Sequence, residues 1–367
     1  MRLKRAALAL ACGALLASGL PGAAQEAAPT PLAPAAPAWL VFTRRPAPAA
    51  AEIIFLDKFS GQETRAAVTG ERFTLAADSV IYFDPGRGRV MQAFPDGAVR
   101  EHPFIQPAPD TRRVDWLVAP DGRQIVWTLT SAAPSGLVTT TYTAALDGSG
   151  QRAVLTDGPR DSIRALPVAF NADQTTLYLD YQPDGIADFT PFPQYAGLVA
   201  LDLATGVWEH LPGEPGCFCG AGFGAGLLVR LAVSPDLAGY DVRVVNLAGA
   251  EAVTQMIPAV PRRNFTQAGD VVIAPDGTRA VYALAQVRGF GTAEQSIQTV
   301  FMLVDLQTMR QAPLTAPITT FVQPLAWTED NSAVLLTSRQ RDGTWKIALT
   351  DGRLTKVAEA TYLGTLP

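Results

Sequence analysis

Val118-Ala119-Pro120-Asp121-Gly122-Arg123-Gln124-Ile125-Val126-Trp127 joins two apolar segments through a Pro-Asp-Gly turn. Its second segment is built from the β-branched and aromatic side chains that favour extended backbone. The same design recurs at Ile273, Pro275-Asp276-Gly277 and Ala280 to Tyr282; at Phe170, Asn171 to Gln174 and Leu177 to Leu179; and at Trp327, Glu329 to Asn331 and Val334 to Leu336. A weaker copy runs from Phe73 through Asp78 to Phe83. A second family of turns closes a hairpin at Asp57 to Gly61, Pro95-Asp96-Gly97, Asp147-Gly148, Asp202 to Gly206, Asn246 to Gly249, Asp305 to Met309 and Asp351-Gly352. Asp57 and Asp351 are 294 positions apart over six intervals, a mean of 49, within the spacing of roughly 40 to 50 residues of propeller blades. No window carries a helical stripe. The chain is therefore expected to be all-β: a single seven-bladed β-propeller of four-stranded antiparallel blades, with six or eight blades as the alternatives.

The segments Val118 to Trp127 and Ile273 to Tyr282, together with Leu201-Asp202-Leu203-Ala204-Thr205-Gly206, resemble the TolB-like (WD40-like) family of β-propellers. In that family an apolar strand, Pro-Asp-Gly, a second apolar strand and a hairpin with an Asp-Leu-x-Thr-Gly turn make up each blade. The resemblance covers Trp39 to the C-terminus. It lacks the Trp-Asp dipeptide of a true WD40 repeat and the Gly-Gly of a kelch repeat. The family is functionally broad, so the resemblance implies architecture and interaction more than any reaction.

Closure follows from counting strands. The first blade opens on what reads as its second strand, Trp39 to Thr43, and Thr361 to Leu366 is left over after the last hairpin. The C-terminal segment is expected to supply the missing innermost strand of blade 1, removing an open edge.

Ahead of the repeats, residues 1–24 have a basic start (Arg2, Lys4, Arg5), an apolar run from Ala6 to Leu20 and small residues at Gly22 and Ala24. This is the pattern of a secretory signal peptide, too short to span a bilayer. Residues 25–38, rich in Ala and Pro, read as an extended tether, and residues 39–367 as the propeller. Export to the periplasm, cell surface or exterior is expected. A lipoprotein reading of Cys12 is disfavoured by the little apolar sequence before it. No later segment reads as a membrane span.

Of the 367 residues 48% are hydrophobic and 17% charged, with two histidines, three cysteines and a formal net charge of −5. Cleavage after Ala24 would remove three bases and no acid, leaving −8. The acidic balance, and the lack of a run of Lys and Arg, argue against a nucleic-acid partner. There is no Gly-x-Ser-x-Gly, His-Glu-x-x-His or Walker loop. His102 and His210 each stand beside a glutamate on an expected outer strand, where a surface role is the ordinary reading. Asp115 and Asp180 leave carboxylate-only chemistry open. Trp116, Trp127, Trp208 and Trp327 read as blade packing.

Strand parity divides the connections. Turns between first and second strands share one rim with those between third and fourth, and the remaining loops share the other. The long segments, Gln182 to Tyr195, Pro212 to Phe223, Pro258 to Ala268 and Ala285 to Gln298, all fall on the second rim, where binding sites concentrate on a rigid scaffold. The candidate ligand-binding residues are Asp184, Asp188, Phe189, Phe192, Tyr195, Arg288 and Phe290. Asp184 and Asp188 would suit a cation and the rings a flat or sugar-like ligand, although calcium wants more oxygens. The competing reading is that the rings pin the loop to its own blade.

Gly216 to Gly226 holds Cys217 and Cys219. It reads foremost as a Gly-rich innermost strand of blade 5. A Cys217–Cys219 disulfide in a bent loop and, with His210, an incomplete zinc site are the alternatives. Gly220-x-Gly222-x-x-Ala225 matches a dinucleotide fingerprint but lacks its strand-turn-helix context. Neither catalytic residues, nor a cofactor, nor a metal is expected. The expected function is a monomeric, exported, non-catalytic binding or scaffold module for a protein, peptide or glycan. The alternatives are a carboxylate-dependent glycan-active lyase or hydrolase and a structural component of a cell-envelope assembly.

Overall fold

A computed structural model describes residues 38–367 except 48–49, 187–190, 249–253, 290–291, 293, 320 and 339. The expected signal peptide and all but the last residue of the tether lie outside the described residues. Twenty-eight strands form seven four-stranded antiparallel sheets, and no α-helix occurs among the described residues. Among the described residues no helix is long and apolar enough to cross a membrane.

Each sheet is one blade. The innermost strands are Thr361–Leu366, Glu71–Leu75, Thr111–Val118, Ile163–Phe170, Ala221–Gly224, Gln267–Ile273 and Gln323–Trp327, for blades 1 to 7 in turn. Those of neighbouring blades lie against one another around the channel. Blade 1 is closed as strand counting requires: Thr361–Leu366 pairs with Trp39–Ala47, from Trp39↔Leu366 to Thr43↔Thr361.

The second and third strands are covered on both faces by adjacent blades, so their sequences lose alternation. Ala280 to Ala285 are all buried, whereas the outermost strand Val99–Glu101 is wholly exposed. The core lies between blades. Trp127 stacks on Tyr142 at 5.3 Å within the blade 2–3 cluster, and Trp327 donates its indole N–H to the Val272 carbonyl at the blade 6–7 junction.

Turn chemistry explains why degenerate copies remained recognisable. Asp202 Oδ1 accepts the N–H groups of Ala204 (2.9 Å) and Thr205 (2.7 Å), and Asp57 and Asp305 do the same in their own turns. These bonds hold all three carboxyls below the usual range. In the other family the left-handed position is Gly122 (φ 68°), but Gln174 (60°) and Asn331 (54°) take it in blades 4 and 7. Position in the turn is kept while the residue varies.

Three expectations are corrected. Ala285 to Gln298 is mostly a long hairpin, formed by Arg279–Arg288 and Ser296–Asp305, rather than a loop. The innermost strand of blade 5 begins at Ala221, and the cysteines precede it in a bent loop as a Cys217–Cys219 disulfide. The glycines nearby have a packing reason: a Cβ on Gly222 would lie 2.2 Å from the Val271 carbonyl oxygen of blade 6. His102 is buried rather than superficial. Its Nδ1 accepts the Ile105 N–H (3.1 Å), Phe104 packs edge-on against its ring, and burial pushes its pKa down to about 4. His210 is exposed.

Because so small a disulfide ring restricts little of the unfolded chain, its reduction is expected to cost no more than about 2 kcal/mol. Melting curves with and without dithiothreitol check this.

Candidate functional site

The connection after strand Thr176–Pro183 is a strap that leaves blade 4, packs against blades 6 and 7 near Phe192 and returns to blade 4 at strand Leu198–Asp202. At its start Asp184 is nearly buried and faces three guanidiniums: Arg112 and Arg113 at 3.2 Å each and Arg164 at 3.5 Å. Asp115, on the innermost strand of blade 3, pairs with the same Arg164 and with Arg72 at 3.4 Å. Arg72 also donates to the Val114 carbonyl, and its guanidinium lies between the rings of Phe83 (5.1 Å) and Trp116 (4.8 Å). Both aspartates thus serve as inter-blade struts.

Further along, Phe192 is buried in the blade 6–7 cluster, 5.7 Å from Phe321. Its seat is Gly269, where a Cβ would stand 2.4 Å from the Cβ of Phe192. Gln194 donates to the Ala268 carbonyl (2.9 Å), and Gln323 to that of Pro191 (3.4 Å). Tyr195 exchanges backbone bonds with Cys219, and the N–H groups of Ala196 and Gly197 converge on Asp180 Oδ1. Residues 191–197 therefore form a fixed wall.

The sequence-derived candidates do not converge. Asp184 joins the arginines, Phe192 is packed away in the core, half-buried Tyr195 lines the channel between blades 4 and 6 with Pro193, and Arg288 is exposed on the blade 6 hairpin. Asp188, Phe189 and Phe290 lie outside the described residues. Asp180, named with Asp115 for carboxylate-only chemistry, is wholly buried, and burial pushes its pKa up to about 6 against the opposing backbone bonds.

What the topology does bring together is a polar cavity of about 320 Å³ at the channel mouth on the long-loop rim. Blades 1, 2, 6 and 7 contribute Thr43, Arg45, Arg72, Asp270, Gln323 and Asp342 to its wall, and Thr337, Ser338 and Thr361 add hydroxyls. Two of these residues have left-handed backbone without being glycine: Arg72 (φ 57°) and Asp270 (φ 51°). Each sits where an innermost strand slips register against its neighbour. Such bulges re-aim side chains. Asp270 accepts the Gln323 amide N–H at 2.5 Å, and Asp342 accepts the Arg45 backbone N–H at 2.7 Å. Sequence reasoning missed both aspartates, because neither lies in a motif and the bulge that turns Asp270 is a property of the paired strands.

The largest cavity described, about 660 Å³, opens on the opposite rim between blades 3, 4 and 5, with largely apolar walls such as Leu117, Phe170, Phe223 and Leu247. No group of three or more His, Cys, Asp or Glu suited to a metal ion occurs among the described residues.

The sequence matches no protein-family model and no curated protein. Solved structures do share its backbone course. Hydrazine synthase of Kuenenia stuttgartiensis is 12% identical over 76% of either chain, with a TM-score of 0.49. TolB of Acinetobacter baumannii is 12% identical over 85% of this chain and 77% of its own, at 0.44. Prolyl oligopeptidase B of Galerina marginata is 11% identical over 80% of this chain and 51% of its own, at 0.41. The chain is a seven-bladed β-propeller. Likenesses this distant carry no activity over to this chain.

Proposed function

We propose that the protein is an exported, non-catalytic binding module that takes a glycan at the channel mouth of its long-loop rim. The observation that carries this reading is Asp270. A non-glycine residue in left-handed backbone is strained by about 1 kcal/mol, and outside turns such residues cluster at functional sites. Asp270 spends that strain in the wall of a cavity lined by hydroxyls, an amide, carboxylates and guanidiniums. Such a lining offers donors and acceptors in the mixture that a polyhydroxylated ligand requires. Export is supported by the tripartite N-terminus, and the Cys217–Cys219 disulfide suits an oxidising compartment.

The test is a glycan panel probed with wild-type protein and with Asp270→Asn, a residue that tolerates left-handed backbone while losing the charge. Ligands held by the wild type are expected to bind the variant about tenfold more weakly. Equal binding by the two proteins would remove the channel mouth as the site.

A second reading, a carboxylate-dependent glycan-active enzyme, is favoured by Asp270 and Asp342 sharing one wall. It requires new reducing ends to appear with the wild type and to vanish in both Asp270→Asn and Asp342→Asn.

A further inference from the structure

Blades 2 and 3 part on the long-loop rim into a cleft of about 330 Å³. Among the described residues its wall carries four arginines, Arg87, Arg89, Arg112 and Arg113, and no carboxylate. Phe83 and Val114 give it an apolar side, and Pro107 and Pro109 stiffen the connecting loop that forms another. The nearest ion pairs leave this wall positive. Arg112 and Arg113 both turn their Nε to Asp184, which Arg164 also approaches. Arg164 and Arg72 share Asp115. Arg72 also has Glu71 at 3.9 Å, so four guanidiniums face three carboxylates, a surplus of one positive charge. Arg87 has Asp84 at 3.5 Å, also through Nε. Arg89 donates to the neutral Pro107 carbonyl at 3.4 Å and so adds a second uncompensated charge. Asp110 is close in sequence but is not part of the wall. In a chain of formal charge −5 this is a local inversion of sign, made where two blades meet.

The geometry points to a site for the oxyanion of a compact ligand: a carboxylate, sulfate or phosphate carried on a body the size of one sugar ring. The guanidinium fork matches such oxyanions through paired N–H donors, and ion pairing through Nε leaves the terminal nitrogens available to a ligand. The cleft is at the small end of ligand pockets, which run from roughly 300 to 1,000 Å³, so a ring with one charged group fills it. Phe83 and the prolines supply apolar surface for the ring itself.

The experiment is calorimetric titration of the full chain at low ionic strength with glucuronate, glucose 1-phosphate, inorganic phosphate and, as the neutral control, glucose. The anions are expected to bind and glucose not, with affinity falling as salt is added. Binding of glucuronate and glucose 1-phosphate with no response to phosphate would place the ring in the site beside its charge; a response to phosphate shows the oxyanion alone to be held. The double variant R87Q/R112Q, both of whose side chains are mostly exposed, should keep the wild-type melting temperature and bind about tenfold more weakly. R353Q, an exposed arginine at a turn on the opposite rim, should bind as the wild type does. Glucose binding as well as glucuronate, or R87Q/R112Q titrating like the wild type, would overturn the assignment. So would an acidic peptide such as hexaglutamate binding while all three small anions fail. The cleft shares no residue with the channel-mouth cavity, so its failure leaves the glycan reading standing, and the converse holds.

Discussion

Deleting residues 361–367 should lower the melting temperature by on the order of 10 °C or more and make the protein prone to aggregate. The segment is the innermost strand of blade 1, paired with Trp39–Ala47 at five positions. Its loss would bare that strand's edge inside the channel, an invitation to intermolecular pairing. It would also withdraw Leu366 from the cluster that holds Val41, Phe55, Tyr82 and Met91, and Tyr362 from its ring contact with Phe42 at 5.4 Å. The effect extends past one blade, because Gly364 lies so near Leu75 of blade 2 that a Cβ there would stand 2.5 Å from the leucine Cδ1. Differential scanning calorimetry of the two chains decides the matter. A truncated chain melting within about 2 °C of the full one would contradict closure by this strand.

Arg230→Met should cost about 3 to 5 kcal/mol at neutral pH, the range found when one member of a buried ion pair is removed. Arg230 and Glu214 are almost wholly buried and meet at 2.8 Å. The same guanidinium donates to the carbonyls of Tyr195 (3.0 Å) and Cys217 (2.8 Å), so one side chain ties the strap of blade 4 and the disulfide loop to blade 5. Removing it strands Glu214 and takes from Asp180 a favourable charge. The loss should be smaller at pH 5 than at pH 7.5. Asp180 already titrates at about 6, above the 3.8 of an unperturbed group. Whatever it contributes is therefore fully present below 3.8 and is lost as pH rises through 6. Without Arg230 its ionised form is penalised further, so acidification restores part of the stability. Melting curves of both proteins at the two pH values check this, and an unchanged melting temperature at pH 7.5 would show the pair to be dispensable.

The propeller was legible in the sequence because its turns are local chemistry. An aspartate or asparagine that accepts one or two following N–H groups, as Asp202 does, needs only its own turn, and seven such turns count the blades. Closure was legible because strands are paired off along the chain and one remained. The site was not, for a physical reason. Arg72, Arg113 and Arg164 begin successive blades some 40 to 50 residues apart, and only blade stacking places them around Asp115 and Asp184. Phe192 looked like a rim aromatic, yet its partner is Phe321, more than a hundred residues on. His102 stood beside Glu101 on an outer strand, but it ends that strand and tucks beneath Phe104. The cysteines were split between strand and loop because extent of pairing, not composition, decides where a Gly-rich strand starts.

Hydrogen–deuterium exchange, run on the free protein and on the protein with its tightest ligand from the glycan panel, tests the central claim most directly. Protection is expected in strands Gln267–Ile273 and Gln323–Trp327 and at Thr337, Ser338 and Asp342, which surround the polar cavity. Protection at residues 117–120, 168–173 and 223–227 instead, around the apolar cavity of the opposite rim, would contradict the account.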